Sequence, residues 1–160
     1  MRKRFAADLE FGQTPIENVF IPTKTRDELP PTLAGLQWIY KTPELSELVF
    51  SLLEDKVIGD KQNTGRPGMD LWHILVLGVV RLTLNCDYDR LEHIANYDGL
   101  VRQIMGLPSF GIDPEANEFH YKTISDNVHH LDEELLAEIN ALVVEYGLPV
   151  LKKTKKRSSK

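Results

Sequence analysis

Apolar residues recur at three- and four-residue intervals along most of this chain, the spacing of helices that bury one face. From Thr32, "TLAGLQWIY" reads as a short apolar helix that stops at "KTP". Thr42 is then placed as the cap of a second helix, with Pro43 in its first turn. In that helix Leu45, Leu48, Val49, Leu52 and Leu53 fall on one buried face. The stretch from Asp70 to Leu84 is apolar nearly all round, which predicts the central, most buried helix. After "NCDYD", the segments "RLEHIAN" and "LVRQIM" predict two short helices on either side of the turn "YDG". In "TISD", Thr123 and Asp126 fit a capping box, and Ile124, Val128 and Leu131 face inward on a helix of about two turns. Asp132 caps the last helix, which carries Leu135, Leu136, Ile139, Leu142, Val143 and Tyr146 on one face. Gly147 closes it and Pro149 prevents its continuation.

The punctuation between these segments sets the organisation. Residues 1–30 hold Gly12, Pro15, Pro22 and Pro30, show little helical period, and read as an irregular arm. Residues 55–68 and 107–119 read as loops, and no internal repeat is present. The predicted fold class is all-α: a compact bundle of six or seven helices over 31–147, followed by a tail over 148–160.

With 160 residues the chain has the length of one domain and can bury a real core. The longest apolar run, Ile74 to Val80, is far too short for a bilayer span. The basic start "MRKRF" is followed by no apolar signal segment, so the expected location is cytoplasmic. The net charge of −5 hides an asymmetry. All 24 acidic residues lie between Asp8 and Glu145, while nine of the 19 basic residues lie at the two ends. The body from 5 to 151 carries ten basic against 24 acidic residues, a charge of −14. A basic tail on an acidic body is common in chains that meet nucleic acid, and it also occurs in plain linkers. Such a body argues against broad phosphate binding by the folded part.

Catalytic constellations are scarce. The histidines at 73, 93, 120, 129 and 130 show no HExxH spacing, and the neighbours His129 and His130 should point about 100° apart on a helix. Ser125 has no evident base, and a single cysteine, Cys86, excludes an intrachain disulfide. Asp87 beside Cys86 should raise its pKa rather than activate it. No Gly-rich phosphate loop is present. The expectation is a chain with no catalytic residue, no metal and no cofactor.

Residues 88–131 are more suggestive. Two short helices with a tight Gly-containing turn resemble a helix-turn-helix element. A third short helix follows, whose outward face would carry Ser125, Asn127, His129 and His130, with Lys122 beside them. Asparagine can bond adenine in a bidentate way, and serine and histidine are workable groove contacts. The plainer reading makes them solvated residues on a small helix, and Asp126 would repel phosphate. The loop "NTGRPGMDL" raises the same choice for Arg66. Gly65 and Pro67 would hold it exposed, but Thr64 stands where a minor-groove hook usually has a second arginine. The loop therefore reads as a hinge first, with Arg66 as at most one phosphate or groove contact.

Several ordered segments carry a family likeness. "TPIENVFIP", "RDELPPTLAGLQWIYKTPEL", "GRPGMDLWHILVLGVVRLTLNCDYDRLEHIANYDGLVRQIMG" and "FHYKTISDNVHHLDEELLAEINALVVEYG" resemble the amino-terminal region of bacterial insertion-sequence transposases of the ISNCY group. The likeness runs from about residue 10 to 151. It implies a helical region that binds the ends of an element in double-stranded DNA. In that family a ribonuclease-H-like domain with three carboxylates and two metal ions follows. Here the sequence ends at "LKKTKKRSSK", with no carboxylate beyond Glu145, so no catalytic residue is carried over.

The expected DNA contacts are Arg66, Lys122, Ser125, Asn127, His129 and His130, with Lys152, Lys153, Lys155, Lys156 and Arg157 of the tail. The rival expectation is a truncated transposase acting as a regulatory module. It would form a homodimer, or assemble with full-length transposase, through the apolar faces of 43–54 and 133–146. An inert remnant of an interrupted gene is a third reading.

Overall fold

A computed structural model describes residues 4–5, 14–22, 24–59, 68–107 and 118–147. The described residues form seven α-helices and one 3-10 turn, Ile16–Asn18, with no strand. The helices are α1 (Leu29–Lys41), α2 (Pro43–Val57), α3 (Leu71–Leu84), α4 (Tyr88–Tyr97), α5 (Gly99–Ile104), α6 (Tyr121–Val128) and α7 (Glu133–Glu145). The all-α class predicted from periodicity is the class observed. None of these helices is long and apolar enough to cross a membrane.

Helix α3 is the axis of the bundle, as its all-round apolarity predicts. Ten of its 14 residues are buried, including Trp72, whose indole N–H donates to the carbonyl of Ile104 at 2.8 Å. Helices α1, α2, α4 and α6 all pack on α3, and α7 closes against α2. One position sets the crossing of α3 with the corner between α6 and α7. A Cβ at Gly78 would lie 2.6 Å from the Cβ of Leu131, so only glycine lets that corner approach. Leu131 is fully buried, as its spacing from Ile124 and Val128 predicts.

The helix ends divide the capping expectations. Asp132 caps α7 through a 2.8 Å bond from the Leu135 N–H, and Gly147 follows with a φ of +78°. Asp87 and Asp98 cap α4 and α5 in the same way. Thr42 stands at the N-cap of α2, but its hydroxyl instead donates back to the Trp38 carbonyl at 2.7 Å. The capping box at Thr123 and Asp126 is not formed. The side-chain amide of Asn96 takes both backbone groups of Phe119, at 2.7 and 2.9 Å, and fixes the chain just ahead of the helix. Helix α6 therefore begins at Tyr121, with His120 as its N-cap, and Thr123 is already inside it.

Three further positions depart from the predicted pattern. Helix α1 starts at Leu29 rather than Thr32, because its prolines sit in the first turn, where a missing N–H costs nothing. Leu48 is 43% exposed, and Phe50 takes a buried place in its stead. Tyr146 lies just past the end of α7 and is exposed, its hydroxyl 3.4 Å from a Glu44 carboxylate oxygen.

The segment ahead of α1 is irregular apart from its one turn, yet it is packed. Ile16, Val19 and Ile21 are buried, and Gln37 donates to the carbonyls of Ile16 and Val19, both at 2.9 Å. Arg4 bridges Glu47 and Glu54 of α2 at 2.7 and 2.8 Å, while its carbonyl accepts from the Trp72 N–H. The neighbouring Phe5 ring meets Tyr40, Trp72 and His73.

Candidate nucleic-acid interface

Helix α6 is held from below and presented outward. Its Ile124 and Val128 are fully buried, and the helix lies on α3 and α4. Residues Lys122, Ser125, Asp126 and His129 follow at intervals of three, four and seven, which places them along one outward face. The Lys122 ammonium is 3.0 Å from Asp126, and its side chain is 85% exposed. The Ser125 hydroxyl donates to the Lys122 carbonyl at 3.3 Å and the residue is half-buried. The exposed His129 has Nδ1 at 3.0 Å from the Ser125 carbonyl. A carbonyl can only accept, so Nδ1 carries a proton, and Nε2 is the ring nitrogen left for another partner.

The other two predicted contacts on this helix are placed differently. Asn127 is half-buried, and its amide is engaged at both ends. Oδ1 accepts from the Met69 N–H at 3.3 Å, and Nδ2 donates to the Thr123 carbonyl at 2.7 Å. It pins α6 to the entrance of α3 rather than standing on the outward face. The rings of His129 and His130 stack, with centroids 4.1 Å apart and planes 32° from parallel. The predicted divergence of about 100° between them is overturned, because the helix ends at Val128 and the chain turns at His129. Arg66, Lys152, Lys153, Lys155, Lys156 and Arg157 lie outside the described residues.

Between α6 and the start of α3 a cleft of about 640 Å³ opens, lined by Gly68, Asp70, His73, Phe119, Thr123 and Asn127 among others. Gly68 stands two residues after Arg66 in sequence. At the cleft's floor His73 Nε2–H donates to the Met105 carbonyl at 2.9 Å, and its ring sits edge-on to Phe5 and Phe119. Burial, the main cause, holds its pKa below the ordinary value, against an opposing pull from Asp70. His73 reads in the sequence as one polar residue in an apolar helix, and nothing in its spacing marks it as the pivot of an aromatic cluster.

Electrostatics on this side are nearly balanced, since Asp126 neutralises Lys122 across one turn. No three histidine, cysteine or acidic side chains converge to hold a metal ion among the described residues. The Cys86 thiol is pushed up in pKa, mainly by partial burial, with Asp87 adding to the shift against the pull of Arg90. The direction agrees with the sequence expectation, but burial is the larger cause. No protein-family model, curated protein or solved structure matches the chain.

Proposed function

We propose that this chain is a DNA-binding region of a transposase, which recognises element ends through the outward face of α6 and the basic tail. The observation that carries the reading is the arrangement of Lys122, Ser125 and His129 along one face of a short helix clamped to the core. Ammonium, hydroxyl and imidazole are groups that read base edges and phosphates. The clamp at Asn127 fixes the helix in register, so that base contacts would be made without ordering a loop first. The likeness to insertion-sequence transposases supports the same reading. In it the chain works in the cytoplasm, uses no cofactor, and supplies recognition rather than strand chemistry.

The assembly reading loses most of its surface. The apolar faces of 43–54 and 133–146 are buried in the bundle, where α2 and α7 pack together, leaving Leu48, Val144 and Tyr146 exposed. A selection from a random duplex pool at near-physiological salt tests the choice, run with residues 1–160 and 1–151. Enrichment of one sequence by both forms is expected. Unselective binding that vanishes without the tail would overturn recognition by the helical body, because counterion release alone carries no sequence preference.

A further inference from the structure

Next to the α6 face, three helices bring together an arginine and two tyrosines in a continuous ladder. Arg81, in the last turn of α3, lies with its guanidinium carbon 4.9 Å from the ring centre of Tyr88. Tyr88 opens α4, and its ring meets that of Tyr121 edge-on at 6.4 Å. Tyr121 opens α6, is 45% exposed, and is followed directly by the exposed Lys122. The three residues come from separate helices and from positions 81, 88 and 121, so no sequence motif marks them.

The arginine is the unusual member. Its Nε is buried with no hydrogen-bond partner, and no carboxylate pairs with it among the described residues. That is unexpected in a body carrying 24 acidic residues. A buried donor left without an acceptor is a cost, and a guanidinium with no carboxylate beside it keeps its charge open to an anion at its other nitrogens. A guanidinium over an aromatic face still offers in-plane N–H groups, and its Nη pair can donate to phosphate oxygens. Arg90 adds to the positive field here, since both arginines act on Cys86 in the short link between α3 and α4. Asp87, in the link between α3 and α4, caps α4 by accepting from the Arg90 N–H at 2.9 Å. The exposed Tyr121, one ring contact further on, provides a surface on which a deoxyribose can pack.

We infer that Arg81, Tyr88 and Tyr121 form a contact for the DNA backbone, with Arg81 taking a phosphate and Tyr121 packing on the adjoining nucleoside. The inference rests on the DNA-binding reading of α6 and extends that interface sideways to the ends of α3 and α4. Tyr88 is the positioning residue: its ring lies under the guanidinium and meets the ring of Tyr121 edge-on.

The test is a fluorescence-anisotropy titration of the whole chain on a duplex taken from the selection, repeated over a series of salt concentrations. Arg81→Gln is expected to weaken binding by about fivefold or more, and to reduce the slope of log K against log salt by about 0.9. Arg81→Lys should restore the slope while remaining weaker than wild type, because it keeps the charge and loses the fork. Tyr121→Ala, at an exposed position, should weaken binding by about fivefold with the slope unchanged. Wild-type binding, with Arg81→Gln and Tyr121→Ala both within about twofold of it and the Arg81→Gln slope unaltered, would overturn the inference alone. Failure of the wild-type chain to bind would remove the DNA-binding reading and the inference with it.

Discussion

The amide of Asn127 could serve a base edge or the backbone of Met69, and in the folded chain it holds the backbone. Asn127→Ala removes the bonds to Met69 and Thr123 and leaves the Met69 N–H without that acceptor. A loss of about 1–3 kcal/mol in urea denaturation is expected. Asp126 acts in the opposite sense. It neutralises Lys122 and would face phosphate with a negative charge, while an exposed pair of this kind contributes little stability. Asp126→Asn should therefore tighten DNA binding several-fold without changing the urea midpoint, and weaker binding in the titration would contradict this. His73 carries the pH dependence. Burial keeps its folded-state pKa below 6.5, so as pH falls the unfolded chain takes up that proton first. Stability is then full above about pH 6.5 and declines below it, down to the depressed pKa of the folded ring. In His73→Gln this segment of the stability curve should flatten; an identical curve would show that another group governs it.

Elements were legible where one face is apolar and a polar residue closes the end. Helix α3 follows from its composition, and α7 from Asp132, its apolar stripe and Gly147. The start of α6 was not legible, because it is set by Asn96, 23 residues before Phe119, and no local spacing reports such a clamp. Leu48 shows the same limit: its spacing fits the stripe, but the packing of α2 buries Phe50 instead. Of the candidate site, the outward positions 122, 125 and 129 could be read from helical spacing. The turn that stacks His130 on His129, and the inward use of Asn127, could not, since both depend on where the helix stops and what lies beneath it. The approach of α3 to the α6–α7 corner depends on Gly78. Gly78→Ala would gain about 1 kcal/mol in helix propensity. It would also place a methyl group 2.6 Å from the Leu131 Cβ, which is fixed to backbone. Overpacking of that kind costs about 1–3 kcal/mol, so net destabilisation and a displaced α6 are expected, seen together as a lower Tm and weaker DNA binding.

For the whole molecule, charge and shape divide the work. The body from 5 to 151 is strongly acidic, and the charge of Arg4 just ahead of it is offset by Glu47 and Glu54. Broad attraction to DNA would then fall to the tail residues Lys152, Lys153, Lys155, Lys156 and Arg157, and any selectivity to a small area of the body. We place that selectivity on the outward face of α6. The most direct measurement repeats the duplex selection with the triple variant Lys122→Ala, Ser125→Ala, His129→Ala, after its helical circular dichroism is matched to wild type. Loss of the selected sequence, with residual salt-sensitive binding through the tail, is the expected result. Enrichment of the same sequence by the variant would contradict recognition through α6.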